Sequence, residues 1–264
     1  MGVTIPEAVQ ATALVAAAAR AAEQRGARPR IRDRFAERFV TAHADATGAA
    51  VRRLVAAGAE EVVHRTALID ALLTAHATAG STVVNLGAGY CARPYRLDLS
   101  HCSRVMELDA EPVLRFKSRV LADSPPSCPV EHLVADVRQA GAVTCALSSA
   151  LSAGGRAVVI SEGLLVYLSP DELGRLAVGL AELPGDPVWL CDIVSDDSAA
   201  AMSMVADGAR AGVRLYGLSS LEVFESAGWT VTDYRPLPGS ANRPRRPGAG
   251  AARVIDGVLA LTRS

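Results

Sequence analysis

The chain has 264 residues, 50% of them hydrophobic and 21% charged, which is the texture of a globular protein with room for one large domain or two small ones. Lys+Arg 27 against Asp+Glu 28 leave a net charge of -1, so bulk charge attracts neither nucleic acid nor a membrane surface, and neither partner is expected. Every apolar run is broken before the ~20 residues a bilayer span requires, and Met1 to Gln10 lacks a basic region leading into a signal core, so a cytoplasmic location is expected.

Five cysteines (Cys91, Cys102, Cys128, Cys145, Cys191) form an odd set without C-x-x-C spacing, which argues against a disulfide framework and a structural zinc site; no metal is expected. Lys117 is the only lysine, so chemistry that needs a second one is excluded.

From Pro6 to about His76 the sequence predicts helix throughout, with alanine-rich runs, Ile31, Phe35 and Phe39 at helical spacing, and a stop near Gly48. After Gly80 short apolar runs alternate with helical stretches, the signature of βαβ units on a parallel sheet. The predicted strands are Thr82–Leu86, Arg104–Leu108, Glu131–Ala135, Ala157–Ser161 and Val188–Ile193. Trp229–Pro236 and Val254–Thr262 follow, joined by a Pro/Gly/Arg-rich stretch instead of a helix, so an antiparallel pair should close the sheet edge. Within that stretch, Arg243 to Pro247 reads as a solvated loop. The expected fold is α/β, a Rossmann-like, mostly parallel sheet with an antiparallel C-terminal strand. Residues 1–80 would form a helical lid and 81–264 the core of one compact unit.

Thr82 to Leu86 runs into Gly87-Ala88-Gly89, and Ala92 completes G-x-G-x-x-A. Glycines at this turn permit positive φ and let a cofactor approach the backbone. Asp109 lies 20 residues beyond Gly89, at the end of the next predicted strand, where a carboxylate can accept both ribose hydroxyl hydrogens. A cofactor containing a nucleoside is implied, either a nicotinamide dinucleotide or S-adenosylmethionine. Three features favour the methyl donor. A long helical stretch precedes the turn; Lys117 lacks the Tyr-x-x-x-Lys context, with Val113 four positions back; and the antiparallel ending is no second mononucleotide-binding half.

Val83 to Gly89 followed by Arg93-Pro94-Tyr95-Arg96-Leu97 resembles the leucine carboxyl methyltransferase family of class I S-adenosylmethionine-dependent enzymes, which includes bacterial polyketide O-methyltransferases. Matching segments lie in order at Ala19 to Glu23, Ile31-Arg32-Asp33, Arg65-Thr66 with Asp70, Glu107-Leu108-Asp109, Ala135-Asp136-Val137 and Ser161 to Leu168, covering about residues 12 to 235. The family commonly carries Leu-Asp-Thr after the glycine turn. This chain has Tyr90-Cys91-Ala92, which removes a carboxylate and a hydroxyl.

The resemblance implies that Arg65 binds the methionine carboxylate of the cofactor, a task suited to a planar fork of charged donors. It also implies that Asp136 and Val137 contact adenine. Glu162 follows the apolar run Ala157–Ile160 at the carboxyl edge of the sheet, where a buried carboxylate needs a partner, and the methionine ammonium is a natural one. Tyr167 is the candidate for the methyl-transfer site. The plainer alternatives are a surface arginine, a helix-capping aspartate and a tyrosine packed with its hydroxyl outward. No histidine is placed at the substrate by a motif, so alignment and desolvation would carry the rate. The expected activity is O-methylation of a carboxylate or hydroxyl of a small molecule in natural-product biosynthesis of the polyketide type. The alternative is a fold that binds the cofactor without methylating, or serves as an assembly partner.

Overall fold

The computed structural model describes residues 7–43, 49–151, 155–208, 214–238 and 254–264. Three helices come first: α1 (Glu7–Gln24), α2 (Ala36–Ala42) and α3 (Ala49–His76). Strands and helices then alternate as β1 (Thr82–Leu86), α4 (Arg93–Arg96), β2 (Arg104–Asp109), α5 (Glu111–Val120), β3 (Val130–Val134), α6 (Ala140–Ala150) and β4 (Ala157–Ser161). A 3₁₀ turn at Leu165–Tyr167 leads to α7 (Pro170–Ala181), β5 (Val188–Ile193), α8 (Asp196–Gly208), α9 (Glu222–Glu225), β6 (Trp229–Pro236) and β7 (Gly257–Arg263).

The seven strands form one sheet in the order β3-β2-β1-β4-β5-β7-β6. The first five pair in parallel, and β7 runs antiparallel to both β5 and β6. The α/β class, the parallel body and the antiparallel ending are therefore as expected. β3 lies one residue earlier than expected, and β7 starts at Gly257, not Val254. The Arg243 to Pro247 stretch lies outside the described residues, as does Gly48.

β4 and β5 are buried along their whole length, which explains their continuous apolar sequences: helices cover both faces. On one face Val143, Leu147, Leu176 and Leu180 of α6 and α7 pack on Val84, Met106, Val159 and Trp189. On the other, Ile69, Leu72 and Leu73 of α3 pack on Val83, Val105, Val158 and Leu190. The second half of α3 thus belongs to the sheet's own core. Among the described residues, no helix is long and apolar enough to cross a membrane.

The expectation of helix throughout Pro6 to His76 needs correction. Helix α1 ends at Gln24, and the chain runs non-helically past Gly26 and Pro29, residues that favour other conformations. Ile31, Asp33 and Phe35 point inward while Arg30, Arg32 and Arg34 are exposed, the alternation of an extended chain. Asp33 Oδ1 then accepts the N–H groups of Phe35 and Ala36, satisfying donors at the start of α2. The neighbouring sequence gives α7 a capping box of Ser169 and Glu172.

In sheet order the chain direction of construction reverses between β1 and β4: β2 and β3 extend to one side, β4 and β5 to the other. A crevice opens outside the carboxyl ends of the strands at such a point. Gly87, Asp109, Glu162 and Asp192 all stand at or near that edge.

Candidate cofactor and active site

The glycine turn leaves β1 with Gly87 at φ 60° and Gly89 at φ 45°, a left-handed conformation open to glycine. A Cβ on Gly87 would stand 3.0 Å from Leu164, and one on Gly89 would stand 3.4 Å from Ala13 of α1. Helix α1 therefore lies over the turn. Asp109 Oδ2 accepts the Gly89 N–H at 2.7 Å and Oδ1 accepts the Ala110 N–H at 2.7 Å. Burial pushes the Asp109 carboxyl up, against the pull of those two amides. The carboxylate is thus fixed beside the turn.

The residue after the turn, Tyr90, is buried and stacks on Phe39 of α2, with ring centroids 5.0 Å apart. Its hydroxyl meets His43 Nε2 at 3.2 Å, and burial with Asp109 nearby pushes its phenol up to about 12. Its carbonyl accepts Arg20 Nη2 of α1 at 2.7 Å. Cys91 Sγ lies 3.4 Å from Arg93 Nη1, and Ala92 is fully buried at the start of α4. Of the three residues that depart from the family's pattern, Tyr90 and Ala92 pack into a hydrophobic cluster with Phe35 and Phe39, and Cys91 meets Arg93.

Beside the turn runs a chain of buried charges of alternating sign. Arg20 pairs with Asp33 at 2.8 Å, and Arg96 lies 3.8 Å from the same carboxylate. Arg96 donates to both oxygens of Asp70, at 2.6 and 2.8 Å, and Arg93 Nε donates to Asp70 Oδ1 at 2.7 Å. Arg93 Nη1 reaches Glu162 Oε2 at 2.6 Å. Arg65 then stands between Glu162, 3.5 Å away, and Asp192, 3.2 Å away. Four arginines pair with four carboxylates: α1, α3, α4 and β5 each supply at least one, Glu162 follows β4, and Asp33 precedes α2.

Glu162 is the point where expectation and structure part. The sequence leaves its carboxylate in need of a partner from outside; the fold supplies Arg93, Arg65 and the Thr66 hydroxyl, which donates at 2.5 Å. Burial would push this carboxyl up, but the two guanidinium groups outweigh it and hold the group well below the usual carboxylate range. Arg65 is raised in turn by Asp192 and Glu162, in spite of its burial. It is no surface arginine. Its Nη2 would lie 2.8 Å from a Cβ on Gly163, whose φ is 63°, so a glycine there makes room for the guanidinium.

Tyr167 lies on the 3₁₀ turn after Glu162, and its phenol shares a hydrogen bond with the Thr12 side chain of α1. Burial pushes its hydroxyl up, and Arg65 and Asp192 both act on it. Asp136, after β3, is engaged by its neighbour: Oδ2 accepts Arg138 Nη2 at 2.7 Å and Oδ1 accepts the Arg138 N–H. Val137 packs against the main core. The structure therefore gathers Arg65, Glu162 and Tyr167 into one cluster and sets Gly87, Ala88, Gly89 and Asp109 together at the turn. Asp136 and Val137 stand at the next strand end.

Sequence reasoning missed Asp192. It sits in the run Val188–Ile193, which the apolar pattern marks as strand, yet its side chain is only 6% exposed and accepts the Gly163 N–H at 2.6 Å. A carboxylate in an otherwise apolar buried strand was the available signal. Arg93, Asp70, Arg20 and Asp33 lay within matched segments without an assigned role.

An open α/β sheet of this strand order, with a glycine turn, an acidic second strand end and a charged cluster at its carboxyl edge, defines the class I methyltransferase fold. Residues 13–181 match the leucine carboxyl methyltransferase family, and the chain belongs to that family. A protein of Mycobacterium marinum named as an S-adenosyl-L-methionine-dependent methyltransferase is 35% identical over 207 residues, covering 70% of this chain and 64% of that protein. One from Mycobacteroides abscessus with the same name is 37% identical over 188 residues, covering 65% and 61%. This chain thus spans somewhat under two thirds of the length of these relatives. Among solved structures, a methyltransferase from Thermobifida fusca shares the fold with TM-score 0.57 at 17% identity, covering 95% of this chain and 93% of that one. Magnesium protoporphyrin IX methyltransferase from Synechocystis, solved with bound SAH, gives TM-score 0.51 at 13% identity, covering 86% and 93%.

Proposed function

We propose that the chain is an S-adenosylmethionine-dependent O-methyltransferase acting on a carboxylate or hydroxyl of a small molecule, of the natural-product type, in the cytoplasm. The observation that carries this reading is the grouping of Arg65, Glu162 and Asp192 with the glycine turn and Asp109 at one sheet edge. The residues fit the cofactor. In this reading Gly87, Ala88 and Gly89 leave room beside the backbone, Asp109 would accept from the ribose, Arg65 would hold the methionine carboxylate, and Glu162, already bound by Arg93 and Thr66, would take the ammonium as a further donor. Asp136 and Val137 stand where adenine would be held.

When bound, S-adenosylmethionine supplies an electrophilic methyl group. The protein's part is to align and to exclude water, because an anion and a sulfonium neutralise each other on transfer and a dry site favours that. Helices α1 and α2 serve as the lid, with Ala13 over Gly89 and Thr12 on Tyr167, and Tyr167 lines the transfer site. Among the described residues no histidine joins the Arg65 cluster. An acceptor already ionised at neutral pH, a carboxylate, suits such a site best.

The second reading, a cofactor-binding fold that does not methylate or acts as an assembly partner, is favoured by one observation: Cys91 and Ala92 replace the family's carboxylate and hydroxyl. Incubation with methyl-labelled cofactor and a panel of small carboxylic acids and phenols separates the two. Label transfer to any acceptor supports methylation. Binding of cofactor with no transfer across the panel favours the second reading.

A further inference from the structure

The charge of the chain is unevenly placed. Residues 25–38 hold six arginines and two acids, a local charge of +4 in a chain of net -1, which leaves -5 on everything else. Asp33 is turned inward to Arg20 and Arg96, and Glu37 pairs with Arg25 at 3.9 Å. Glu23, just before the stretch, accepts the Arg30 N–H at 2.5 Å. Arg28, Arg30, Arg32 and Arg34 are all exposed, and none of them forms an ion pair among the described residues; Arg34 lies over the Phe35 ring, 4.8 Å from its centroid.

The row is held by the fold. Ile31, Asp33 and Phe35 are buried beneath it, and the alternation sets Arg30, Arg32 and Arg34 on the outer side of the chain, about 6–7 Å apart per step. Like charges at that spacing repel one another in the free protein, and a backbone already fixed lowers the ordering cost of binding. Carboxylates at positions i, i+4 and i+8 of a helix rise about 6 Å per step along one face, close to the same interval. A long polyanion fits less well: the net -5 of the remaining chain repels it beyond the row, and the one aromatic ring of the stretch, Phe35, is buried and offers no face for a base. We propose that Arg28 to Arg34 form a docking surface for a helix of a partner protein that carries a row of carboxylates. The partner lies on the outer side of the segment whose Asp33 holds Arg20 of α1 and Arg96 of α4, so docking bears on the link between the lid and the helix after the glycine turn. The inference does not depend on the cofactor reading.

The test is fluorescence anisotropy of the full chain, at physiological salt, with a labelled and stapled alanine-rich helix of about 20 residues carrying glutamates at i, i+4 and i+8. Exposed charge pairs are individually weak, so Arg30→Glu and Arg32→Glu combined should weaken binding about tenfold, while Arg175→Glu, at an exposed arginine on α7, should leave it unchanged. A helix of the same composition with its glutamates spread round the axis should bind about threefold or more weakly. Equal binding of the two helices, equal binding by wild type and double variant, or no binding at all overturns the proposal. Should the double variant fail to fold, the wild-type preference between the two helices still decides. Tighter binding of single-stranded DNA of equal charge, or of phosphatidylserine vesicles, would make the row a nucleic-acid or membrane contact and overturn the acidic partner. Sedimentation of the chain alone tests the remaining occupant: self-association that the double variant abolishes would assign the row to a second copy and overturn the proposal likewise.

Discussion

Arg93 Nη1 and Glu162 Oε2 meet at 2.6 Å in a setting where both side chains are almost wholly buried, so the carboxylate at the end of β4 is the anion of an internal ion pair. Arg93 is in turn held by Asp70 on α3, which ties the glycine-turn helix α4 to the wall of the site. Such a pair adds little net stability against an apolar alternative, yet removing one member leaves the other charged and buried.

Glu162→Gln should therefore do more than weaken ligand binding. With Asp70 still beside Arg93, the expected loss is about 3 kcal/mol of stability, the low end for breaking a buried pair. Because the folded-state carboxyl is held below its unfolded value, its contribution is complete above roughly pH 4.3 and fades as pH falls through and below that value. Urea midpoints of the two proteins should differ most at pH 7 and converge toward acid. Equal midpoints at pH 7 would show that the pair contributes nothing.

Gly163→Ala places a Cβ 2.8 Å from Arg65 Nη2 at a φ of 63°. Backbone strain alone costs about 1–2 kcal/mol for an alanine there. Gly80→Ala carries a similar φ, 79°, with nothing within 4 Å of the added methyl, and so isolates that strain. Gly163→Ala should lose more stability than Gly80→Ala, because it also displaces Arg65 from its ion pairs, and only Gly163→Ala should bind S-adenosylmethionine tenfold or more weakly. Unchanged affinity in Gly163→Ala would mean that Arg65 does not hold the ligand.

Asp109→Ala removes the acceptor of the Gly89 and Ala110 N–H groups as well as the proposed ribose contact. Cofactor affinity should fall by about 1–3 kcal/mol, the range for leaving buried hydrogen-bonding groups unpaired. Calorimetry at matched ionic strength measures it, and wild-type affinity would place the ribose elsewhere.

For a carboxylate acceptor, the single-turnover rate should stay nearly flat from about pH 6 to 9, since a carboxyl of reference pKa near 4 is ionised throughout. His43 is held between Phe39 O and the Tyr90 hydroxyl, and His64 bonds the Glu60 carbonyl on α3. Neither is tied to the Arg65 cluster, so His43→Ala and His64→Ala should leave the profile flat. A rise near pH 6.5 that either substitution abolishes would identify that histidine as a base.

The sequence by itself carried the strand positions, since β1, β4 and β5 begin and end where their apolar runs do, and burial on both faces is written as a continuous run. It also carried the turn at Gly87 to Gly89 and its distance to Asp109, because a strand, a left-handed turn and the next strand end are set by local spacing. It did not carry the break between α1 and α2, where helix-compatible residues surround Gly26 and Pro29 and the decision falls to Asp33 meeting Arg20 and Arg96. Nor did it carry the partners of Glu162 or the presence of Asp192. Those pairings join residues 69, 97 and 127 positions apart, brought together by the crossing of α3 and α4 over the ends of β4 and β5. Local pattern reports which side chains are buried; only the tertiary arrangement decides which opposite charge each buried carboxylate meets, and so which of them is left for a ligand.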